Sequence, residues 1–319
     1  MGKDFTPQKN RQEGSLLGLA IGDAIGAPVE FKQRGTFEPV TTYRSGGKFR
    51  LKAGEWTDDT AMALCLAKSL LESKGFDPID QLDKYVAWMY EGYMSCTGKA
   101  IGLGKTCQRS LIRYGRTKHS CTDLKHEKFS GNGSLMRLAP ICIYYAGNID
   151  EAVQYAALSS KTTHASHIAV DCCRYMAYVI LHLFVAEDKN EIFSQKFREK
   201  VHVYFSNDTL HKTLNPIVNG DFMQKSKSEI QSSGYAIHSL EAALWSFYHS
   251  STFEAAILKA VNLGDDADTV GAITGQIAGA YYGSGSISAK LRFSLSSGEM
   301  IASLAKELVE AKTKKRSTR

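Results

Sequence analysis

The chain lacks the features of secreted, disulfide-linked and membrane-spanning proteins. Its seven cysteines are odd in number and include no C-x-x-C pair, which argues against a disulfide framework. The first ten residues, MGKDFTPQKN, are polar and do not resemble a secretory signal. The longest apolar run, residues 176–186, is interrupted by His182 and is too short to cross a bilayer. We therefore expect a cytoplasmic protein with reduced thiols and no membrane partner.

The chain also lacks a real excess of positive charge. Its net charge of +6 depends largely on the C-terminal stretch KTKKRSTR, residues 312–319, which contains five Lys or Arg and no acid. Residues 1–311 carry 34 basic and 33 acidic groups. We interpret the stretch as a solvated, disordered tail, and do not expect nucleic acid to be a partner.

Neither regular β-type alternation nor linker composition occurs anywhere in the sequence, whereas helical periodicity recurs throughout. This pattern predicts an all-α protein with a single compact domain over residues 1–311. The residues 32–56 are polar and Gly-rich and predict a long functional loop. The predicted helices cover residues 11–26, 58–74, 78–95, 100–114, 134–146, 150–161, 165–186, 189–205, 236–249, 253–262, 268–283 and 297–312.

Acidic residues crowd the start of two predicted helices. Thr57, Asp58 and Asp59 begin one of them, and the stretch GDDADT, residues 264–269, begins the other. Such residues are good helix caps, and acids in a first turn complement the helix dipole. Carboxylate and hydroxyl oxygens are also the ligands that Mg²⁺ and Mn²⁺ prefer, so two such clusters could hold two ions.

Two predicted helices carry glycine every fourth residue. In residues 13–31 these are Gly14, Gly18, Gly22 and Gly26, and in the last acidic helix they are Gly271, Gly275 and Gly279. Glycine costs roughly 1 kcal/mol per residue against alanine inside a helix. We therefore predict that the two helices pack closely and bring their acidic ends, with Asp23 and Glu30 on one and Asp266 and Asp268 on the other, into one site.

Several motifs together resemble the ADP-ribosylglycohydrolase family, in particular its dinitrogenase-reductase-activating type. The resemblance runs in order from about residue 13 to residue 283. It rests on the segments GLAIGDAIGAPVEF, GEWTDDTAMAL, SGNGSLMRLAP, SSKTTHASH, SGYAIHSLEAALW and AVNLGDDADTVGAITGQIAGAYYG.

The resemblance implies an orthogonal all-α fold with two Mg²⁺ or Mn²⁺ ions in a central cleft. The metal ligands it implies are Thr57, Asp58, Asp59, Asp266, Asp268 and Thr269. It also implies that Gly131, Asn132, Gly133 and Ser134 contact the diphosphate of ADP-ribose at a helix start, and that His164 lies on the phosphate or adenosine side. The competing interpretation of His164 is a structural histidine near the start of a helix.

The implied reaction is metal-dependent hydrolysis of the C1″ glycosidic bond of ADP-ribose, with Glu30, Asp58 and Asp266 as the catalytic residues. The transition state is oxocarbenium-like, and Glu30 is the candidate for handling the protons of the attacking water, either as the base itself or as a residue that supports the metal ligands. Two features depart from the family pattern. Gly102 stands where relatives often carry an Asp near the modified side chain, and Asp265 replaces a common Gly.

The alternatives differ in their motifs. An isoprenoid synthase would need D-D-x-x-D and a His-Asp phosphohydrolase an adjacent His-Asp pair, and the sequence contains neither. A non-catalytic ADP-ribose-binding or structural relative, such as a lens protein, would have lost metal ligands. We expect an ADP-ribosylated protein as substrate, with arginine-linked ADP-ribose first and serine-linked or small-molecule derivatives as the alternative. The oligomeric state is open, with a monomer as the expectation.

Overall fold

Within residues 8–316, fourteen α-helices and short 3₁₀ turns make up the fold. The computed structural model describes residues 8–316, and within them the only β-type pairing consists of two isolated bridges, Gly46 with Leu51 and Gly131 with Tyr235. The all-α prediction is therefore confirmed. The helices, numbered α1 to α14 in chain order, are Lys9–Gly26, Asp58–Glu72, Pro78–Glu91, Lys105–Thr117, Ala139–Tyr144, Ile149–Lys161, His167–Leu183, Gln195–Tyr204, Asn215–Asn219, Ala236–Tyr248, Phe253–Val261, Ala267–Tyr282, Ala289–Ser294 and Gly298–Arg316.

Helices α1 and α12 pack against each other in the centre, antiparallel and almost backbone to backbone. Gly14 faces Gly279, Gly18 faces Gly275 and Gly22 faces Gly271, and a Cβ at any of these positions would collide with the opposite main chain. The predicted pairing of the two glycine rows is confirmed. Because the helices run antiparallel, the end of α1 lies beside the start of α12, where the acidic residues are.

A shell of other helices encloses this central pair. Helices α2, α5, α11 and α14 contact α1, and α7, α10 and α11 contact α12. The buried apolar side chains form one continuous core that reaches from Leu16 to Val309. All seven cysteines lie within residues 8–316 and are free thiols, in agreement with the absence of a disulfide framework. None of the helices within this range has the length and apolar character needed to cross a membrane.

Several predicted helix boundaries were wrong. Helix α3 ends at Glu91 because Gly92 adopts the left-handed conformation that stops a helix, with φ of 72°. Helix α4 begins at Lys105, five residues later than predicted. The predicted helix over residues 134–146 is only Ala139–Tyr144, because the chain before it folds as successive turns. The long loop after α1 is present, with no α-helix between residues 30 and 57.

The C-terminal helix also extends further than predicted. The backbone of α14 continues through Arg316, whereas the predicted helix ended at residue 312. Residues 317–319 of the predicted tail lie outside the described residues.

Candidate active site

Asp23 of α1 caps the N-terminus of α2. Its Oδ1 accepts hydrogen bonds from the main-chain nitrogen and the hydroxyl of Thr57, at 3.0 and 2.9 Å. Its Oδ2 accepts from the main-chain nitrogen and the hydroxyl of Thr60, at 3.0 and 2.6 Å. The Thr57 side chain makes no capping bond to its own helix. The local cap that the sequence allowed for Thr57 is therefore replaced by a carboxylate from another helix.

Two groups of carboxylates lie where α1, α2 and α12 meet. In each group the three residues place one oxygen apiece within 4.8 Å of one another. The first group contains Asp23, Asp59 and Asp268, and the second contains Glu30, Asp266 and Asp268. Asp268 belongs to both groups. The acidic starts of α2 and α12, about 210 positions apart in the chain, thus converge as predicted.

Two threonine hydroxyls lie between Asp59 and Asp268 of the first group or beside them. The Thr57 hydroxyl lies 3.2 Å from Asp59 Oδ2 and 3.5 Å from Asp268 Oδ2. From the other side, the Thr269 hydroxyl lies 3.4 Å from Asp59 Oδ2. Both threonines are buried, so these hydroxyls add neutral oxygens at a crowded anionic position.

The electrostatics of the cluster favour a bound cation. Burial, followed by the neighbouring carboxylates, raises the pKa of Asp58, Asp59 and Asp268 well above the usual range. Burial also raises the pKa of Glu30 to about 8 and that of Asp266 to about 6. So many buried acids in contact are costly unless they are protonated or neutralised by a cation.

Unsatisfied oxygens in the cluster fit this requirement. Glu30 Oε2 and Asp59 Oδ1 are buried and have no hydrogen-bond partner. A buried carboxylate oxygen without a donor is destabilising, and a divalent cation would satisfy it. The Asp23 carboxylate differs, because the capping bonds to Thr57 and Thr60 already occupy its acceptor positions. Asp23 is therefore suited to orienting Thr57 rather than to binding a metal.

Asp58 belongs to neither carboxylate group and lies against residue Gly102. A Cβ at Gly102 would collide with Asp58 Oδ1, and Gly102 has φ of +84°. A side chain at this position would thus be both strained and obstructed by Asp58. The segment around Gly102 borders the cluster, and an aspartate at this position would be strained by its positive φ and would require the Asp58 carboxylate to move.

Asn132 joins the predicted diphosphate loop to the acidic cluster. Its Nδ2 donates to Asp266 Oδ2 at 2.5 Å and to the Ser239 hydroxyl at 2.9 Å. The main chain of the loop pairs with the segment before α10, where Asn132 N donates to Gly234 O and Ala236 N donates to Ser130 O. The family resemblance implied that Asn132 binds ADP-ribose. In the structure the side-chain amide of Asn132 also donates a hydrogen bond to Asp266.

The glycines of this loop make room for a histidine. A Cβ at Gly133 would lie 2.7 Å from His164 Cε1, and one at Gly131 would lie 3.4 Å from His164 Nε2. His164 is buried, its Nδ1 lies 2.8 Å from the Thr163 hydroxyl, and burial lowers its pKa to about 3. His164 is therefore a neutral ring beside the loop.

The other expectations for this loop hold only in part. The Ser134 hydroxyl accepts a hydrogen bond from Ser160 at 2.8 Å and is buried, so it faces the interior. The loop precedes α5 by several residues and forms turns, so the expectation that it stands at a helix start was wrong.

A cluster of buried carboxylates at the ends of helices is typical of all-α enzymes that use divalent cations. The chain belongs to the ADP-ribosylglycohydrolase family, whose sequence profile matches residues 5–318. The predicted enzyme class, a glycohydrolase that acts on ADP-ribosyl bonds, is confirmed by this membership.

Similar proteins agree over nearly the whole chain. The ADP-ribosylarginine hydrolase Tri1 of Pseudomonas putida (strain GB-1) is 38% identical over 313 residues, which cover 96% of this chain and 80% of the relative. The ADP-ribosyl-[dinitrogen reductase] glycohydrolase of Rhodospirillum rubrum is 30% identical and covers 86% of both chains. A chain in a solved ADP-ribosylglycohydrolase-related protein complex is 38% identical with a TM-score of 0.82, covering 95% of this chain and 98% of that one.

Proposed function

We propose that this enzyme removes ADP-ribose from modified arginine side chains of proteins and uses two divalent cations, Mg²⁺ or Mn²⁺. The observation that carries the proposal is the pair of carboxylate groups that share Asp268, with two buried oxygens left without a partner. The linkage is supported by the relative at 38% identity, which is an ADP-ribosylarginine hydrolase.

The ligands of the two ions would come from both motif helices. One ion would take oxygens from Asp59, Asp268 and the hydroxyls of Thr57 and Thr269, which lie within 3.5 Å of these carboxylates. The other would take Asp266 and Asp268 of the second group. Asp58, which enters from the side of Gly102, completes the proposed set. Asp23 holds Thr57 in place.

Two bound cations would supply the Lewis acidity that fixes the ribose hydroxyls and polarises the attacking water. Glu30 would hold and release the proton of that water. Its carboxylate belongs to the second group and leaves the buried Oε2 without a partner, so this oxygen has room to accept a proton from the water. Asp58 and Asp266 would complete the catalytic set by keeping the reacting atoms in register.

The diphosphate would lie along the main chain of residues 131–134. Peptide N–H groups in consecutive turns form concave anion sites without requiring a helix. The neutral His164 ring supports this main chain from beneath, since it fills the space that Cβ atoms would otherwise occupy at Gly131 and Gly133. Asn132 would link the diphosphate region to the metal ligand Asp266.

The test uses defined substrates. Peptides with a single ADP-ribosyl-arginine or ADP-ribosyl-serine are incubated with the metal-stripped protein, alone and after addition of Mg²⁺ or Mn²⁺. We expect ADP-ribose release from the arginine peptide only with metal, and slower or no release from the serine peptide. Faster release from the serine peptide would show that the enzyme prefers serine-linked ADP-ribose to arginine-linked ADP-ribose. Equal release with and without metal would reject the role of the cations.

We further propose that residues 1–311 form one domain that acts as a monomer. The continuous core from Leu16 to Val309 supports a single folding unit. Sedimentation of the purified chain at micromolar concentration tests the monomer, and a single cooperative unfolding transition tests the single domain.

A further inference from the structure

An exposed aromatic ring stands directly beside the acidic cluster. Phe31 follows Glu30 in the chain, and 59% of its surface is exposed. Its backbone has φ of +62°, in the left-handed region that bulky residues rarely adopt. Strained positions of this kind persist where the surrounding structure holds them, and they concentrate at functional sites.

Main-chain hydrogen bonds hold Phe31 against the second acidic motif. Phe31 N donates to Asp265 O at 2.6 Å, and Asp265 N donates to Lys32 O at 2.8 Å. Asp265 also has positive φ, at +54°. The two strained residues therefore fasten together the segments that carry Glu30 and Asp266, and the backbone of Phe31 is held at the edge of the cluster.

A cation already lies over this ring. Lys48 Nζ is 4.2 Å from the centroid of Phe31 and 5.6 Å from that of Phe49, both within the range of a cation–π contact. The turn that carries Lys48 is closed by two main-chain bonds between Gly46 and Leu51. The ring face is therefore close to the reacting centre and attracts positive charge.

We propose that Phe31 is a specificity-determining residue whose ring binds the guanidinium of the ADP-ribosylated arginine in place of Lys48. This inference rests on the proposed arginine linkage. A guanidinium is planar and weakly hydrated, so it stacks on an aromatic face more readily than an ammonium does. Gly102 offers no carboxylate for that guanidinium, and the ring supplies the attraction in its place.

The first experiment compares ring chemistry at constant backbone strain. Phe31→Leu removes the π face and keeps an apolar side chain, while Phe31→Trp strengthens the face. Because none of the three residues favours positive φ, folding is affected similarly in each. The matched control is Phe293→Leu, which replaces another exposed phenylalanine, in α13. The readouts are KM and kcat for an ADP-ribosyl-arginine peptide, and the inhibition constant of free ADP-ribose.

We expect Phe31→Leu to raise KM about fivefold with little change in kcat, and Phe31→Trp to keep or lower KM. The inhibition constant of ADP-ribose should stay the same, because ADP-ribose has no guanidinium. Equal KM values for the Leu and Trp variants, or a parallel loss of ADP-ribose affinity, would overturn the proposal. If the wild-type enzyme does not cleave the arginine peptide at all, the proposed function itself fails, which is a separate result.

The second experiment tests the exchange of cations on the ring. Lys48→Gln should lower KM for the arginine peptide, because the ring is no longer occupied. The same change made together with Phe31→Leu should have no such benefit, and this coupling is measured by the double-mutant cycle. An equal effect of Lys48→Gln in both backgrounds would mean that Lys48 influences KM independently of the Phe31 ring. That result would overturn the proposed replacement of Lys48 by the guanidinium.

Discussion

The carboxylate of Asp23 accepts hydrogen bonds from both the main-chain nitrogen and the hydroxyl of Thr57, so helix α1 caps helix α2. A cap normally comes from the residue before its own helix. Here the cap comes from α1, the central helix whose glycine row packs against that of α12. The orientation of the Thr57 hydroxyl, and through it one side of the proposed metal centre, therefore depends on how α1 and α2 are packed.

Replacing this cap should affect both stability and metal binding. Asp23→Ala leaves the buried N–H groups of Thr57 and Thr60 unpaired, and we expect a loss of about 2–3 kcal/mol in the free energy of unfolding with Mn²⁺ present. Mn²⁺ affinity, measured by calorimetry, should fall as well. The control is Asp77→Ala, which removes the local cap of α3 and should cost about 1 kcal/mol without changing metal affinity. A stable variant with normal Mn²⁺ binding would contradict this role for Asp23.

Asp268 should matter to both ions, because it is shared by both carboxylate groups. We expect titration of the wild-type protein with Mn²⁺ to give two ions per chain. Asp59→Asn and Asp266→Asn should each weaken mainly one of them, whereas Asp268→Asn should weaken both by at least about tenfold. Asp265→Asn is the matched control, since Asp265 is exposed, belongs to neither group, and asparagine tolerates its positive φ. Selective loss of one ion in Asp268→Asn would show that the groups do not share it.

The metal-free protein should become less stable as pH rises. The pKa of Glu30 is raised from 4.5 to about 8 and that of Asp266 from 3.8 to about 6, so the folded state binds more protons than the unfolded state between about pH 4 and 8. Their contribution to stability is complete below the unfolded pKa values and is lost as pH rises through the folded ones. We expect urea unfolding in EDTA to give a free energy of unfolding about 5 kcal/mol lower at pH 8 than at pH 5.

Metal should reverse this trend, because cations favour the ionised carboxylates. The matched variant is Glu30→Gln, which removes the carboxyl whose pKa is raised to about 8 and should flatten the pH dependence in EDTA. A metal-free protein that gains stability from pH 5 to pH 8 would contradict the electrostatic account of the cluster.

Gly133 should be sensitive to a single added methyl group. In Gly133→Ala the new Cβ would lie 2.7 Å from His164 Cε1, and we expect a loss of about 1–3 kcal/mol in the free energy of unfolding together with weaker ADP-ribose binding. Gly131→Ala, whose Cβ would be 3.4 Å from the same ring, should cost less than about 1 kcal/mol. A double-mutant cycle with His164→Ala should show coupling between the two positions. Strictly additive losses would mean that contact with the His164 ring is not the reason why position 133 needs glycine.

The central helix pair and its acidic ends could be predicted because their signals are periodic or contiguous. Glycine at every fourth position predicts one close-packed face, and the runs at Thr57–Asp59 and Asp265–Thr269 mark the helix starts directly. Helix ends were harder, since Gly92 stops α3 through a backbone conformation that glycine adopts only in some contexts.

The contacts that the sequence did not reveal join distant residues. Asp23 is the only acid between Glu13 and Glu30, and an isolated acid within an apolar, Gly-rich helix was a signal that it has a buried partner. Nothing local identified Thr57 and Thr60 as that partner. Similarly, the glycines at 131 and 133 resemble a phosphate loop, and only the fold brings the His164 ring against them.

The glycine contact between α1 and α12 also determines when the enzyme can mature during synthesis. Helix α1 is among the first segments made, and α12 follows more than 200 residues later. Until α12 has been synthesised, α1 has no partner for its glycine face and the first acidic motif has none of the oxygens of Asp266 and Asp268. Closing so long a stretch of chain is slow compared with forming local helices. The proposed metal site would thus be complete only after α12 has been made, and a nascent chain, or one truncated before residue 266, would lack Asp266 and Asp268 and would not hold the ions.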